Sequence, residues 1–147
     1  FLMRKGFKPM PGIDGWQLSN IPVIQASAHL AALAIFQQTN MSALRKKSQL
    51  LTGYLEYLLK EMDPHEQYFQ IITPKSFQER GCQLSIYVKN HGNKIYNALA
   101  KAGVSADWRE PGVIRVAPVP LYNSFQEVFD FAAIFKKALK TFNKVSL

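Results

Sequence analysis

The sequence predicts an α/β chain in which helices cover one face of a small, mostly antiparallel sheet. Several long stretches repeat apolar residues with helical spacing, whereas short stretches alternate apolar and polar residues, as half-buried strands do. A hydrophobic fraction of 48% in 147 residues is sufficient for one folded domain with its own core. The order helix, helix, strand, strand, helix, strand, strand, helix favours helices packed on an antiparallel sheet.

The beginning of the chain predicts a loop followed by a buried helix. Glycine and proline interrupt any helix in residues 1–22, whereas residues 23–38 are apolar on nearly all sides. We therefore expect His29 to be a core histidine and Trp16 to lie in the core rather than in a pocket. A chain that opens in a loop suggests a piece of a longer protein.

The remaining elements each have a local signal. Gly103 is a plausible helix C-cap, the Pro111-Gly112 pair predicts a turn between two strands, and Ser124 with Glu127 forms a capping box. We expect helices at 41–62, 93–102 and 124–141, and strands at 68–72, 82–88, 104–109 and 113–118.

Charge and cysteine content narrow the class of protein. The net charge of +8 raises the prospect of nucleic-acid binding. However, apart from residues 45–47 on the wet face of a helix, the basic residues are scattered, so we expect no nucleic-acid partner. Cys82 is the single cysteine, which excludes an internal disulfide and fits a cytoplasmic protein; its apolar surroundings predict a small core residue. No stretch approaches the ~20 apolar residues of a membrane span. The three histidines share no metal-ligand spacing.

Two stretches break the local pattern and are candidates for function. Ser19 and Asn20 stand between an apolar loop and the first helix, where they would serve either as a helix cap or, for Asn20, as a polar group facing a ligand. Arg115 is a lone cation in a strongly apolar strand, so an anion should meet it. That anion would be a carboxylate of the same protein, such as Asp107 or Glu110, or the carboxylate of a ligand.

Four motifs in order resemble the kynureninase family over roughly residues 1–140. They are GWQLSNIPVI at 15–24, LRKKSQLLTGYLEYL at 44–58, ERGCQL at 79–84 and IRVAPVPLYNSF at 114–125. One departure is Ile21, where the family usually has a second proline after the asparagine. The alternatives are the small domain of another pyridoxal-phosphate enzyme of the same fold type and a basic, non-catalytic binding domain.

The resemblance implies the C-terminal part of a hydrolase that depends on pyridoxal 5'-phosphate and cleaves L-kynurenine or 3-hydroxykynurenine in tryptophan catabolism and NAD biosynthesis. It implies the aspartate aminotransferase fold type and a homodimer. It also implies that residues 1–22 are a lead-in loop from a missing large domain and that residues 23–147 are the C-terminal small domain. The cofactor's Schiff-base lysine would lie upstream, so this chain would hold no catalytic residue and would be inactive alone. Arg115 would bind the substrate α-carboxylate, and Asn20 would line the substrate and cofactor pocket, with Ser19 a second cofactor candidate. Tyr122 and Asn123 would brace the loop that aims Arg115.

Overall fold

A computed structural model describes residues 5–144 of the chain. Contacts within the chain group it into two compact units, Phe1–Asn40 and Met41–Leu147. The domain boundary expected between residues 22 and 23 stays a prediction.

The first unit contains a 3-10 helix, Gly12–Trp16, and helix α1, Val23–Phe36. Helix α1 buries none of its residues. The expectation of a buried helix is therefore wrong for this chain, and so are those of a core His29 and a core Trp16, whose relative exposure is 85%. Apolar residues on every side of a helix indicate that burying the helix is favourable, but they do not show which surface would cover it.

The second unit is a four-stranded antiparallel sheet with three helices. Its elements are α2 (Met41–Met62), β1 (Phe69–Ile71), β2 (Leu84–Val88), α3 (Gly92–Lys101), β3 (Asp107–Arg109), β4 (Val113–Val116) and α4 (Phe125–Asn143). The strands lie in the order β1-β2-β4-β3, and every neighbouring pair is antiparallel. This confirms the predicted fold class.

The core lies between one face of the sheet and the helices. Alternation along β2 and β4 turns every second side chain inward, as a two-residue period requires. Phe135 of α4 is fully buried and meets Phe69 of β1 edge to face, with ring centroids 5.3 Å apart. The buried strand residues are Phe69, Leu84, Ile86, Val88, Ile114 and Val116, and the buried leucines of the helices are Leu51, Leu55, Leu59, Leu99 and Leu139.

Local signals in the sequence place the ends of these helices. The Ser124 hydroxyl accepts the Glu127 N–H at 3.2 Å, and the Glu127 carboxylate accepts the Ser124 N–H at 2.7 Å, so the predicted capping box is present. The C-cap of α3 is Ala102, and Gly103 follows it with φ +85°, the position at which a left-handed residue commonly closes a helix. Cys82, expected in the core, is half-buried before the start of β2.

Candidate functional site

Arg115 lies on β4 with its side chain on the face of the sheet opposite the core. Its neighbours in strand sequence, Ile114 and Val116, are buried, whereas the Arg115 side chain is 33% exposed. Across the strands Arg115 is paired with Ser85 of β2 and Asp107 of β3. We call this the outer face of the sheet. The apolar residues next to Arg115 in the sequence point mostly to the core side of the sheet, so the Arg115 side chain is half-exposed rather than buried.

Asp107 is the anion that meets Arg115 within the second unit. Nε of Arg115 donates to Oδ2 of Asp107 at 2.6 Å, and Nη2 of Arg115 contacts the same oxygen. Nε of Arg109 also donates to Oδ2, at 2.9 Å. Of the two carboxylates that the sequence offered, Glu110 instead accepts the Trp108 indole N–H at 2.9 Å. The antiparallel register of β3 and β4 makes this choice, because it sets Asp107 directly opposite Arg115.

The charges of the two arginines act on the Asp107 carboxyl. The hydrogen bond from Arg115 is the largest influence that lowers its pKa, and the bond from Arg109 and both positive charges add to it, against a weaker opposing effect of desolvation. Asp107 is therefore ionised at neutral pH. Three charged groups share this corner of the outer face, two guanidinium groups and one carboxylate, and together they keep one net positive charge.

The guanidinium group of Arg115 retains unused donors. It carries five N–H groups in one plane. Asp107 takes the edge formed by Nε and Nη2, so the opposite edge, formed by Nη1 and the second proton of Nη2, is not used by this ion pair. That edge has the geometry that grips a second carboxylate with two parallel hydrogen bonds.

The loop after β4 is fixed by Asn123. Its Oδ1 accepts the Val119 N–H at 2.8 Å, and its own backbone N–H donates to the Val119 carbonyl at 2.9 Å. Tyr122, by contrast, points its side chain into solvent with 71% exposure. The bracing of the loop by Asn123 is thus present, whereas the effect of this loop on Arg115 stays a prediction.

Ser19 and Asn20 lie in the first unit, ahead of α1, and both are exposed. The N-cap of α1 is Pro22, and no side chain forms a capping bond there, so the helix-cap interpretation of Ser19 and Asn20 is wrong. The Gln17 side chain donates to the Ser19 carbonyl at 2.9 Å. Asn20 belongs to one unit and Arg115 to the other; a joint role in one pocket stays a prediction.

Arg80 is the arginine that the second unit buries, and the sequence did not single it out. Its side chain is only 2% exposed, its Nη2 bonds to Oε2 of Glu56 at 2.6 Å, and its guanidinium lies 4.5 Å from the centre of the Phe77 ring. Arg80 sits in the loop between β1 and β2, where no strand or helix period reports burial. The one signal was the ERGCQL motif, which pointed to the family rather than to a contact.

A cavity of about 460 Å³ opens beside the loop after β4. Its apolar lining includes Leu55, Val116, Val128 and Phe131, and Arg115 is not among the lining residues. Within residues 5–144, no group of three or more histidine, cysteine, aspartate or glutamate side chains is placed to hold a metal ion. No helix within those residues is long and apolar enough to cross a membrane.

A sequence model of the kynureninase C-terminal domain matches residues 44–135, which is more than half of the chain. The chain belongs to the kynureninase family. It is 49% identical over 142 residues to kynureninase 2 of Aspergillus niger, covering 95% of this chain and 31% of that protein. It is 42% identical over 140 residues to the kynureninase of Flavobacterium psychrophilum, covering 95% of this chain and 33% of that protein.

The chain therefore spans about a third of the length of the kynureninases that it matches. Kynureninases depend in general on pyridoxal phosphate, but the described residues do not by themselves form a site for it. Ser19 and Asn20 are both exposed, and no lysine within residues 5–144 is buried, as a cofactor-bearing lysine in an enclosed site would be.

Proposed function

We propose that this chain is the part of a kynureninase that binds the α-carboxylate of the substrate. The whole protein would add water to L-kynurenine or 3-hydroxykynurenine and release anthranilate or 3-hydroxyanthranilate together with L-alanine. Because the chain spans about a third of its relatives, it would be inactive alone.

The observation that carries this proposal is the unused edge of the Arg115 guanidinium group. Arg115 is half-exposed on the outer face, and its Nε–Nη2 edge is already bound by Asp107. An α-carboxylate is a planar anion with two oxygens, which the remaining edge fits. Lysine at this position would offer a point charge without a fork, so Arg115→Lys would not replace it.

Asn20 is proposed to line the pocket that selects the aromatic ring, with Ser19 next to it on the cofactor side. Two findings support an accessible polar role: both residues are exposed, and neither caps α1. The Asn20 amide offers both donors and an acceptor to a ring substituent.

The cofactor and assembly follow the family in this proposal. Pyridoxal 5'-phosphate would be held mainly by the part of the protein outside this chain, including the lysine that forms the Schiff base, and the protein would be a cytoplasmic homodimer. The single cysteine is compatible with a reducing compartment.

The deciding experiment measures kynurenine cleavage in a full-length kynureninase that carries this chain. Arg115→Ala should lower kcat/KM by at least about tenfold, because a charge-assisted hydrogen bond contributes roughly 1.5–3 kcal/mol. Arg115→Lys should recover only part of that loss.

Lys94→Ala is the matched control for loss of a positive charge. Lys94 is exposed on α3, and its replacement should leave kcat/KM within about twofold of the parent enzyme, as surface changes usually do. A full-length protein without kynurenine cleavage would contradict the proposed reaction. A fall of less than tenfold in Arg115→Ala would contradict the carboxylate contact.

A further inference from the structure

Asp107 occupies a position from which it fixes the direction of the Arg115 side chain. The register pairs the two residues across β3 and β4, and both side chains lie on the outer face. Oδ2 of Asp107 accepts from Nε at 2.6 Å and contacts Nη2, which are adjacent nitrogens on one edge of the guanidinium. Binding one edge leaves the group with a single preferred orientation.

We infer that Asp107 is a positioning residue for substrate binding, which holds the Arg115 guanidinium so that its free edge meets the substrate α-carboxylate. This inference rests on the function proposed above. It adds Asp107 to the residues that serve substrate binding, and it assigns one edge of the Arg115 guanidinium to Asp107 and the other edge to the substrate. Asp107 acts through Arg115 and does not touch the substrate.

Side-chain freedom explains why such a residue is useful. A half-exposed arginine has several rotatable bonds, so ordering its side chain costs conformational entropy. If Asp107 orders the Arg115 guanidinium before the substrate arrives, this entropic cost does not weaken substrate binding. The substrate then meets a group that is already aimed.

Arg109 explains why Asp107 does not cancel the attraction for an anion. Asp107 also accepts the Arg109 Nε–H at 2.9 Å, so one carboxylate is shared by two cations. The cluster keeps one net positive charge, and an arriving carboxylate is still attracted. An isolated Asp107–Arg115 pair would instead be neutral.

An opposite role can be separated from this one by experiment. If the substrate had to displace Asp107 from Arg115, Asp107 would be a competitor, and its replacement would tighten binding. If Asp107 positions Arg115, its replacement weakens binding of ligands that have an α-carboxylate and leaves others unchanged.

The test uses the full-length enzyme with Asp107→Asn, which keeps the shape and removes the charge. We expect KM for kynurenine to rise by about fivefold to tenfold while kcat changes by less than about twofold, since a charge-assisted bond is lost outside the reacting centre. The inhibition constant of L-alanine should rise by a similar factor, whereas that of L-alaninamide, which lacks the carboxylate, should stay unchanged. Asp107→Glu should restore part of the L-alanine affinity.

A double-mutant comparison separates positioning from a general structural role. In an Arg115→Ala background, Asp107→Asn should change KM by less than about twofold, because residues that act through one another are non-additive. Glu110→Gln is the matched control, since Glu110 is a nearby carboxylate that bonds to Trp108 and not to Arg115. Thermal unfolding of each variant checks the fold, and Asp107→Ala is the second variant if Asp107→Asn unfolds.

The outcomes also separate this inference from the proposed function. If Arg115→Ala leaves KM and the L-alanine inhibition constant unchanged, the carboxylate contact itself fails. Suppose instead that Arg115→Ala raises KM and the L-alanine inhibition constant. If Asp107→Asn then raises neither constant, or lowers KM, only the positioning role of Asp107 is overturned. Equal effects of Asp107→Asn with and without Arg115 would likewise overturn it.

Discussion

Arg80 and Glu56 form an ion pair that joins the loop between β1 and β2 to helix α2. Nη2 of Arg80 lies 2.6 Å from Oε2 of Glu56, and the two side chains are 2% and 13% exposed. Lys60 bonds to the other oxygen, Oε1, at 2.6 Å from the solvent side. Among the described residues, Nε of Arg80 is the buried side-chain donor without a partner. Glu56 is the carboxylate that balances this buried charge.

Replacing Glu56 with alanine should destabilise the chain by about 3–5 kcal/mol, because it leaves the Arg80 charge buried and unpaired. Urea unfolding followed by circular dichroism measures this loss. Lys60→Ala is the control from the same cluster: its side chain is 59% exposed, and its exposed pair should contribute less than about 1 kcal/mol. Equal losses of unfolding free energy in Glu56→Ala and Lys60→Ala would show that the buried Arg80–Glu56 pair contributes no more stability than the exposed pair.

Stability should also depend on pH through Glu56. Desolvation raises the pKa of its carboxyl, but the hydrogen bonds and charges of Lys60 and Arg80 outweigh it, so the folded-state pKa lies below the ordinary value. A lowered folded-state pKa gives stability that is complete above the unfolded-state pKa and is lost as the pH falls through the folded-state pKa. The difference in unfolding free energy between the parent chain and Glu56→Gln should therefore narrow on acidification. A difference that stays constant or widens would contradict this assignment.

The core between β1 and α4 depends on Phe135. Its ring is fully buried, 5.3 Å from that of Phe69. Phe135→Ala should cost about 3–5 kcal/mol in unfolding free energy, from lost burial and the cavity left behind. Phe129→Ala is the matched control on the same helix: this residue is 49% exposed, so its replacement should cost far less unfolding free energy. Similar urea midpoints of unfolding for Phe135→Ala and Phe129→Ala would contradict the central position of Phe135 in this core.

Asn20 provides a test of substrate selection. In the full-length enzyme, Asn20→Ala should change the ratio of kcat/KM between 3-hydroxykynurenine and kynurenine, because loss of a polar partner changes discrimination of a ring hydroxyl. Gln17→Ala serves as a control on the same exposed segment, since its side chain bonds only to the Ser19 carbonyl. An unchanged preference and an unchanged KM in Asn20→Ala would remove Asn20 from the pocket.

Local patterns predicted the second unit well because short-range forces determine its elements. The Ser124–Glu127 capping box needs residues only three positions apart, and the structure contains it. Strand β2 is present at Leu84–Val88 inside the expected range 82–88, and its buried residues alternate as a two-residue period requires. The expected strand at 104–109 was longer than Asp107–Arg109, because strand length depends on the partner strand rather than on the letters.

By itself, the sequence predicted the order of the helices and strands, the capping box at the start of α4, the family resemblance and an anionic partner for Arg115. Only the tertiary structure decided which carboxylate meets it, because strand register places Asp107, eight positions earlier, opposite Arg115. Only the tertiary structure also showed that Arg80 is the buried arginine of the second unit and that α1 is exposed. Burial and long-range ion pairs depend on which surfaces meet in space, and a one-dimensional pattern reports a tendency to be buried without naming the partner.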